Sequence, residues 1–153
     1  MISQTRENTN SIETHFAYAE QMATEHNARF TPIRKHIYRC LLEAEAPLGA
    51  YELLDMLDGV GASKPPTVYR GLDWLIEVGL AKKIESVSKY IAKTESEVTQ
   101  QVALLLCDKC GHAEPFDAGP AILSLGAAAK SKGFESHQTV IEIIGRCAEH
   151  NAE

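Results

Sequence analysis

Two short hooks constrain this chain more than anything else in it. Cys107-x-x-Cys110-Gly111 offers two thiols, and Cys147-x-x-His150 offers a thiol and an imidazole near the last residues. Glycine after the second cysteine lets backbone amides turn toward thiolate sulfur. Two such hooks on separate strand ends can close a tetrahedral Cys3His site, a donor set that suits structural zinc. A CxxC alone would also fit a redox pair, but no thioredoxin-like strand–helix–strand context surrounds this one. Four protein ligands leave no open position for water. The expected cofactor is therefore a structural zinc, one per chain, on Cys107, Cys110, Cys147 and His150.

The residues around the hooks read as a small sheet with one helix. Strands are expected at Val102–Leu106 and His112–Asp117, with the turn Cys107–Gly111 between them. A helix at about Pro120–Lys132 and a strand at about Gln138–Ile144 follow. Val140, Ile141, Ile143 and Ile144 are strongly β-prone. This half is an α+β domain, residues 94–153, small enough to need a staple or a partner chain. Polar Lys93–Gln101 ahead of it has no clear period and reads as a hinge at about 93–101.

The first half reads differently. A helix is expected from Ile12 to about Asn27, with Phe16, Ala19, Met22 and Ala23 on one side. Thr31-Pro32 is a cap followed by proline at the first helical position. The helix it opens should bury Ile33, Ile37, Cys40 and Leu41 and expose Arg34, Lys35 and Arg39. Cys40 falls on the apolar stripe and reads as a buried thiol. Pro47-Leu48-Gly49 reads as a turn, followed by a short helix at Ala50–Leu57 with Tyr51 near its start. Gly59–Ala62 then turns into Lys64–Gly79. There Val68, Leu72, Leu75 and Ile76 form one apolar helix face. Ser63 can cap that helix, Pro65 and Pro66 suit its first turn, and Gly79 can close it.

Lys64, Thr67, Tyr69 and Arg70 are left on the outer side of that helix start. Such a helix suits a DNA groove, because its N-terminus favours phosphate and arginine can donate two bonds to guanine. The plainer alternative is an amphipathic core helix with solvated charges. Helix, turn and helix with glycine in the turn is a DNA-binding pattern. After Gly79 the period becomes extended, and Leu80–Glu85 can pair with Lys89–Lys93 around Ser86-Val87-Ser88. A hairpin directly after the helix makes residues 1–93 a winged helix. Lys82, Lys83 and Lys89 could reach phosphates from the wing, or could be solvated strand charges.

Composition bounds the function. The formal net charge of −6 argues against indiscriminate nucleic-acid binding and leaves room for a local basic face. No apolar run is long enough to span a bilayer and the N-terminus has no signal-peptide core, so a cytoplasmic protein without membrane partners is expected. An enzyme would need a nucleophile–base pair or an open metal site, and neither is visible. The rival to a DNA-binding regulator is a winged-helix protein-interaction module without metal-responsive DNA binding. That rival fits the acidic charge and leaves Lys64, Tyr69 and Arg70 unexplained.

These residues together resemble the ferric uptake regulator family of bacterial metalloregulators. The resemblance rests on the two-domain order, TVYRGLDWLIEVGL, CDKCG and the terminal GRCAEH. RFTPIR, AYELLDML, KPPTVYRGLDWL and KIES are most similar to its zinc uptake regulator branch. The resemblance implies a homodimer with a winged-helix DNA-binding domain that represses promoters at palindromic operators in double-stranded DNA. It also implies DNA reading by Tyr51 and Arg70, and structural zinc on Cys107, Cys110 and Cys147. The family usually has a fourth cysteine where this chain has His150, a swap that still suits zinc.

One departure concerns sensing. The resemblance implies a second metal between the domains, held by His, Cys, Glu or Asp. By motif alignment those positions hold Lys82, Lys93, Gln100 or Gln101, and Pro115. Lysine and proline cannot serve, and glutamine is a poor zinc ligand. The sensory site is thus expected to be degenerate or altered. His112, Glu114 and His137 are the residues near the knuckle from which a substitute could be built. Ion pairs of Lys82 and Lys93 with Glu85, Glu95 or Glu97 could instead hold the hinge closed.

Overall fold

The computed structural model describes the backbone of residues 3–60, 64–94 and 102–151. The chain divides into two compact units, Met1–Val98 and Thr99–Glu153. Ser63, Glu95, Glu97, Gln100 and Gln101 lie outside the described residues, as does most of the expected hinge.

Among the described residues, the first unit holds α1 (Ser3–Glu25), α2 (Pro32–Glu43), α3 (Ala50–Met56), α4 (Pro65–Glu77), β1 (Ala81–Ile84) and β2 (Lys89–Ala92). α1 starts well before the expected Ile12, because its opening residues are polar and carry no apolar period to read. Thr31 caps α2 through its hydroxyl, which accepts from the Arg34 amide at 3.5 Å. Buried residues on α2 are Ile37, Tyr38 and Leu41. Cys40 and Ile33 are only half-buried, which corrects the expected stripe. Ile33 and Cys40 pack at the edge of the core, and Tyr38 joins its centre, its hydroxyl donating to the Lys93 carbonyl at 2.9 Å. A polar tip with a backbone partner makes tyrosine an acceptable core residue.

α4 supplies the centre of this core. Val68, Leu72 and Leu75 are fully buried, and Trp74 stacks on Phe30 with centroids 5.9 Å apart. Arg34, expected to be exposed, lies half-buried with its guanidinium 4.1 Å from the Trp74 ring centroid. A planar, weakly hydrated cation covers an indole face well, so the arginine stem is packed rather than solvated. Gly71 is needed where α4 approaches α2, since a Cβ there would lie 2.4 Å from the Ile37 Cδ1. Lys64 is the N-cap and makes no side-chain capping bond. Gly79, at φ +80°, closes the helix as expected. β1 and β2 pair antiparallel with Lys83 opposite Tyr90. Pro47-Leu48-Gly49 is more than a turn: Leu48 exchanges backbone bonds with Tyr90, at 3.0 and 2.8 Å, and so ties the entry to α3 to the wing.

The second unit holds β3 (Val102–Cys107), β4 (Ala113–Asp117), α5 (Gly119–Ser131) and β5 (Glu142–Gly145). β3 is central, antiparallel to β4 and parallel to β5. β5 is shorter than the expected Gln138–Ile144: only Leu104 to Cys107 offer it partners. Buried residues here are few, with Ala103, Leu104, Leu106, Cys107 and Ala118 below a tenth exposed. No residue of α5 is buried.

Candidate metal centre and nucleic-acid interface

The register of the second sheet assembles the candidate metal centre. β3 ends at Cys107, and its neighbour β5 ends at Gly145, which is the Cα partner of Cys107. Parallel pairing therefore delivers both hooks to the same sheet end. The Cys107 carbonyl accepts from Gly111 at 2.9 Å, and the Cys147 carbonyl accepts from His150 at 2.9 Å. Each hook is thus one tight turn that points two ligands inward. Gly111 takes φ +74°, a conformation that disfavours a side chain.

The four predicted ligands do converge. One donor atom from each of Cys107, Cys110, Cys147 and His150 lies within 4.8 Å of all the others. Cys110 Sγ and Cys147 Sγ are 3.9 Å apart. That matches the edge of about 3.8 Å for two thiolates on one tetrahedral zinc. Cys147 Sγ and His150 Nδ1 are 3.0 Å apart, and would have to open by roughly half an ångström. Backbone amides also prepare the sulfurs. N–H groups of Cys147 and Cys110 lower the Cys107 thiol to about 6, with the Cys147 amide 3.5 Å from its sulfur. The Cys147 thiol is pushed up instead, by burial and by the neighbouring Cys107 and Cys110 sulfurs. Metal ligation requires thiolate, and the backbone N–H groups around Cys107 favour that form.

In the first unit the expected DNA-facing residues lie at the start of α4 and on α3. Tyr51 is 67% exposed and Tyr69 41%. Lys64 and Arg70 are exposed and Thr67 is half-buried. Tyr51 and Tyr69 line one open notch with Glu52, Lys83, Ser88 and Lys89. Sequence reasoning missed Glu52. Its carboxylate accepts the Gly49 amide and pairs with Lys89 Nζ at 3.1 Å, so it ties α3 to the wing. Those two bonds hold its carboxyl below the usual range. The spacing Gly49-x-x-Glu52 is a capping-box spacing and was the available signal, weakened by glycine at the cap.

The expected sensory positions are spread over different elements. Lys82 is on β1, opposite Ile91, and Pro115 is on β4, opposite Leu104. The Lys93 amide donates to the Leu80 carbonyl at 2.8 Å. Glu85, one candidate partner for a lysine latch, binds Lys83 at 2.8 Å. His112 and Glu114 line a cleft beside the metal centre. Cys107, Cys110, Cys147 and His150 are the only group among the described residues that brings metal-ligating side chains together in this way.

The sequence profile of the ferric uptake regulator family matches residues 25–144. This chain belongs to the ferric uptake regulator family. It is 35% identical over 134 residues to the zinc uptake regulation protein of Escherichia coli (strain K12), a match that spans 86% of this chain and 78% of that protein. Among solved structures, a zinc uptake regulator complexed with zinc and DNA shares 33% identity at a TM-score of 0.83, covering 90% of this chain and 93% of that one. The crystal structure of holo XcZur shares 35% identity at a TM-score of 0.77, covering 87% and 94%. Family membership makes this chain a DNA-binding transcription regulator and not an enzyme. Its α+β fold, a winged helix-turn-helix domain followed by a small dimerisation domain, is the one expected from the sequence.

Proposed function

We propose that this chain is a cytoplasmic homodimeric repressor of metal-uptake genes, of the zinc-uptake-regulator kind, acting at palindromic operators. Residues 1–93 bind DNA and residues 94–153 form the dimerisation domain. Each chain carries one structural zinc on Cys107, Cys110, Cys147 and His150. Tyr51, Lys64, Thr67, Tyr69 and Arg70 meet the operator. The observation that carries this reading is α4: its apolar face is buried, while Tyr69 and Arg70 face solvent beside the wing. A groove-reading helix needs its inner face fixed so that its outer side chains keep their direction.

Regulation is where this chain departs from its relatives. Lys82, Lys93, Pro115 and Gln100 or Gln101 stand where sensory ligands are expected, so that site is degenerate. Two lysines would also repel an incoming cation. The zinc stays structural, and operator binding does not require a second metal there.

The test is operator discrimination by Arg70→Ala. Loss of a bidentate base contact should cost about 1–3 kcal/mol at the base it reads. Unchanged preference among operator variants would remove Arg70 from the reading role. A steep salt dependence of duplex binding separates DNA recognition from the protein-interaction alternative, which makes no phosphate contacts.

A further inference from the structure

Where α1 and α2 meet, the first unit holds a cavity of about 200 Å³. Phe16, Phe30 and Pro32 give it apolar walls, and Lys35, His36 and Arg39 complete the lining. The two phenylalanine rings meet edge to face, with centroids 5.8 Å apart. Lys35 is already paired with Glu20, and His36 Nδ1 lies 2.8 Å from the Pro32 carbonyl oxygen. Arg39 is different. Its guanidinium lies 5.2 Å from the Phe16 ring centroid, and among the described residues it pairs with no carboxylate. The formal net charge of the chain is −6, so this cation is not part of a generally basic surface. The far side of the cavity wall is also occupied: Phe30 stacks on Trp74 of α4, with centroids 5.9 Å apart.

We infer that this cavity binds a small organic anion, a single aromatic ring bearing a carboxylate. A dry apolar cavity of about 150 Å³ is enough to take up benzene. Sites for drug-sized ligands run from about 300 to 1,000 Å³, so the cavity here suits one ring and no more. Aromatic walls favour an aromatic guest, which can pack offset or edge-on against Phe16 and Phe30. The charge comes from Arg39, whose parallel N–H donors match the two oxygens of a carboxylate. Its seat on the Phe16 ring holds the guanidinium beside the cavity before a ligand arrives. A neutral ring would leave Arg39 without an anion, and an anion without a ring would leave the apolar walls bare. Because Phe30 is both a wall of the cavity and the partner of Trp74, a bound ring is felt at α4.

The experiment is a titration of the zinc-loaded full chain with benzoate, followed by Trp74 emission and by saturation-transfer NMR. Benzamide supplies the ring without the charge, and acetate the charge without the ring. Benzoate should bind saturably and change the emission of Trp74, the single tryptophan. Arg39→Gln should weaken benzoate by about tenfold or more, the scale of one hydrogen bond to a charged group, and leave benzamide unchanged. Phe16→Leu should weaken benzoate and benzamide alike. Arg39 is exposed, so its replacement leaves the core intact, and thermal unfolding checks that both variants are folded. Absence of saturable benzoate binding overturns the site, as does benzoate binding that Arg39→Gln leaves unchanged. Acetate or benzamide binding as tightly as benzoate also overturns it, since the ring or the carboxylate would then contribute nothing. None of these readouts involves DNA, so their failure leaves the function proposed above standing.

Discussion

The two units of this chain are stabilised in opposite ways. The first buries a continuous set that includes Phe30, Ile37, Tyr38, Leu53, Leu72, Trp74, Leu75 and Leu80. The second buries Leu104, Leu106 and a few small side chains, while Leu123, Phe134 and Ile144 are more than half exposed. Hydrophobic stabilisation scales with apolar area removed from water, so the first unit can hold itself together and the second cannot to the same degree. What the second has instead is a Cys3His cluster that could hold a metal, and a large exposed apolar surface. In the function proposed above, a metal and another copy of the chain would complete such a unit.

Removing the metal should break the comparison most severely. Chelation, or Cys107→Ser, should unfold the second unit and dissociate the dimer while leaving the first unit folded. Metal binding and folding are one equilibrium in sites of this kind. The single tryptophan makes the two readable apart, because Trp74 lies in the core of the first unit. Its emission should stay native while the second unit becomes sensitive to protease. Emission that shifts together with proteolysis would show that the two units depend on one another. Elemental analysis showing no zinc in protein purified without chelator would remove the staple altogether.

A core truncation tests the other side. Leu72 is fully buried on α4, and Leu72→Ala should cost about 2–5 kcal/mol by denaturant titration of Trp74 fluorescence. The matching change in the second unit, Leu123→Ala at a residue 69% exposed, should stay within about 0.5 kcal/mol for the isolated chain. Equal costs would mean that Leu123 is buried by something within the chain.

The third test addresses the apolar surface itself. Ile143 lies on β5 opposite Leu105, and both are exposed. A glutamate at 143 placed in a dimer interface would be a buried, unpaired charge. Ile143→Glu should therefore raise the dimer dissociation constant tenfold or more, about 1.4 kcal/mol, by sedimentation. An unchanged constant would exclude this side of β5 from the interface.

The parts of the molecule that were legible in the sequence are those with a local period or a fixed donor spacing. α4 could be read because its apolar residues recur at helical spacing and proline and glycine mark its ends. The convergence of Cys107, Cys110, Cys147 and His150 could be read because CxxC and CxxH are short hooks whose chemistry permits few alternatives. Arg34 was misread because stacking on Trp74 is a tertiary contact that no local pattern encodes. Tyr38 was passed over because a phenol looks polar until its carbonyl partner, Lys93, is known. The Leu48–Tyr90 bridge and the Glu52–Lys89 pair join residues far apart in sequence, so only the folded chain shows the notch they build. β5 was expected from Gln138 because Val140 and Ile141 are β-prone, whereas its pairing with β3 begins at Glu142.

The smallest expected effect is the most informative about regulation. A sensory metal can shift an equilibrium only by its differential affinity for the two states. Driving a regulator from mostly inactive to mostly active takes about 5.5 kcal/mol of that difference. Here Lys82 and Lys93 occupy two of the expected ligand positions, and Pro115 has no donor to offer. What remains is a single glutamine, which is far too weak a zinc ligand to supply such a difference. Operator affinity of zinc-replete protein should therefore change less than tenfold as free zinc is raised in a chelator buffer. The same titration with Lys82→His/Lys93→Cys, which restores two ligand types, should bind more zinc per chain and show a larger response. A wild-type rise of tenfold or more, with a second metal bound per chain, would mean that a sensor exists elsewhere. His112 and Glu114, which line the cleft beside the metal centre, would be the first residues to replace.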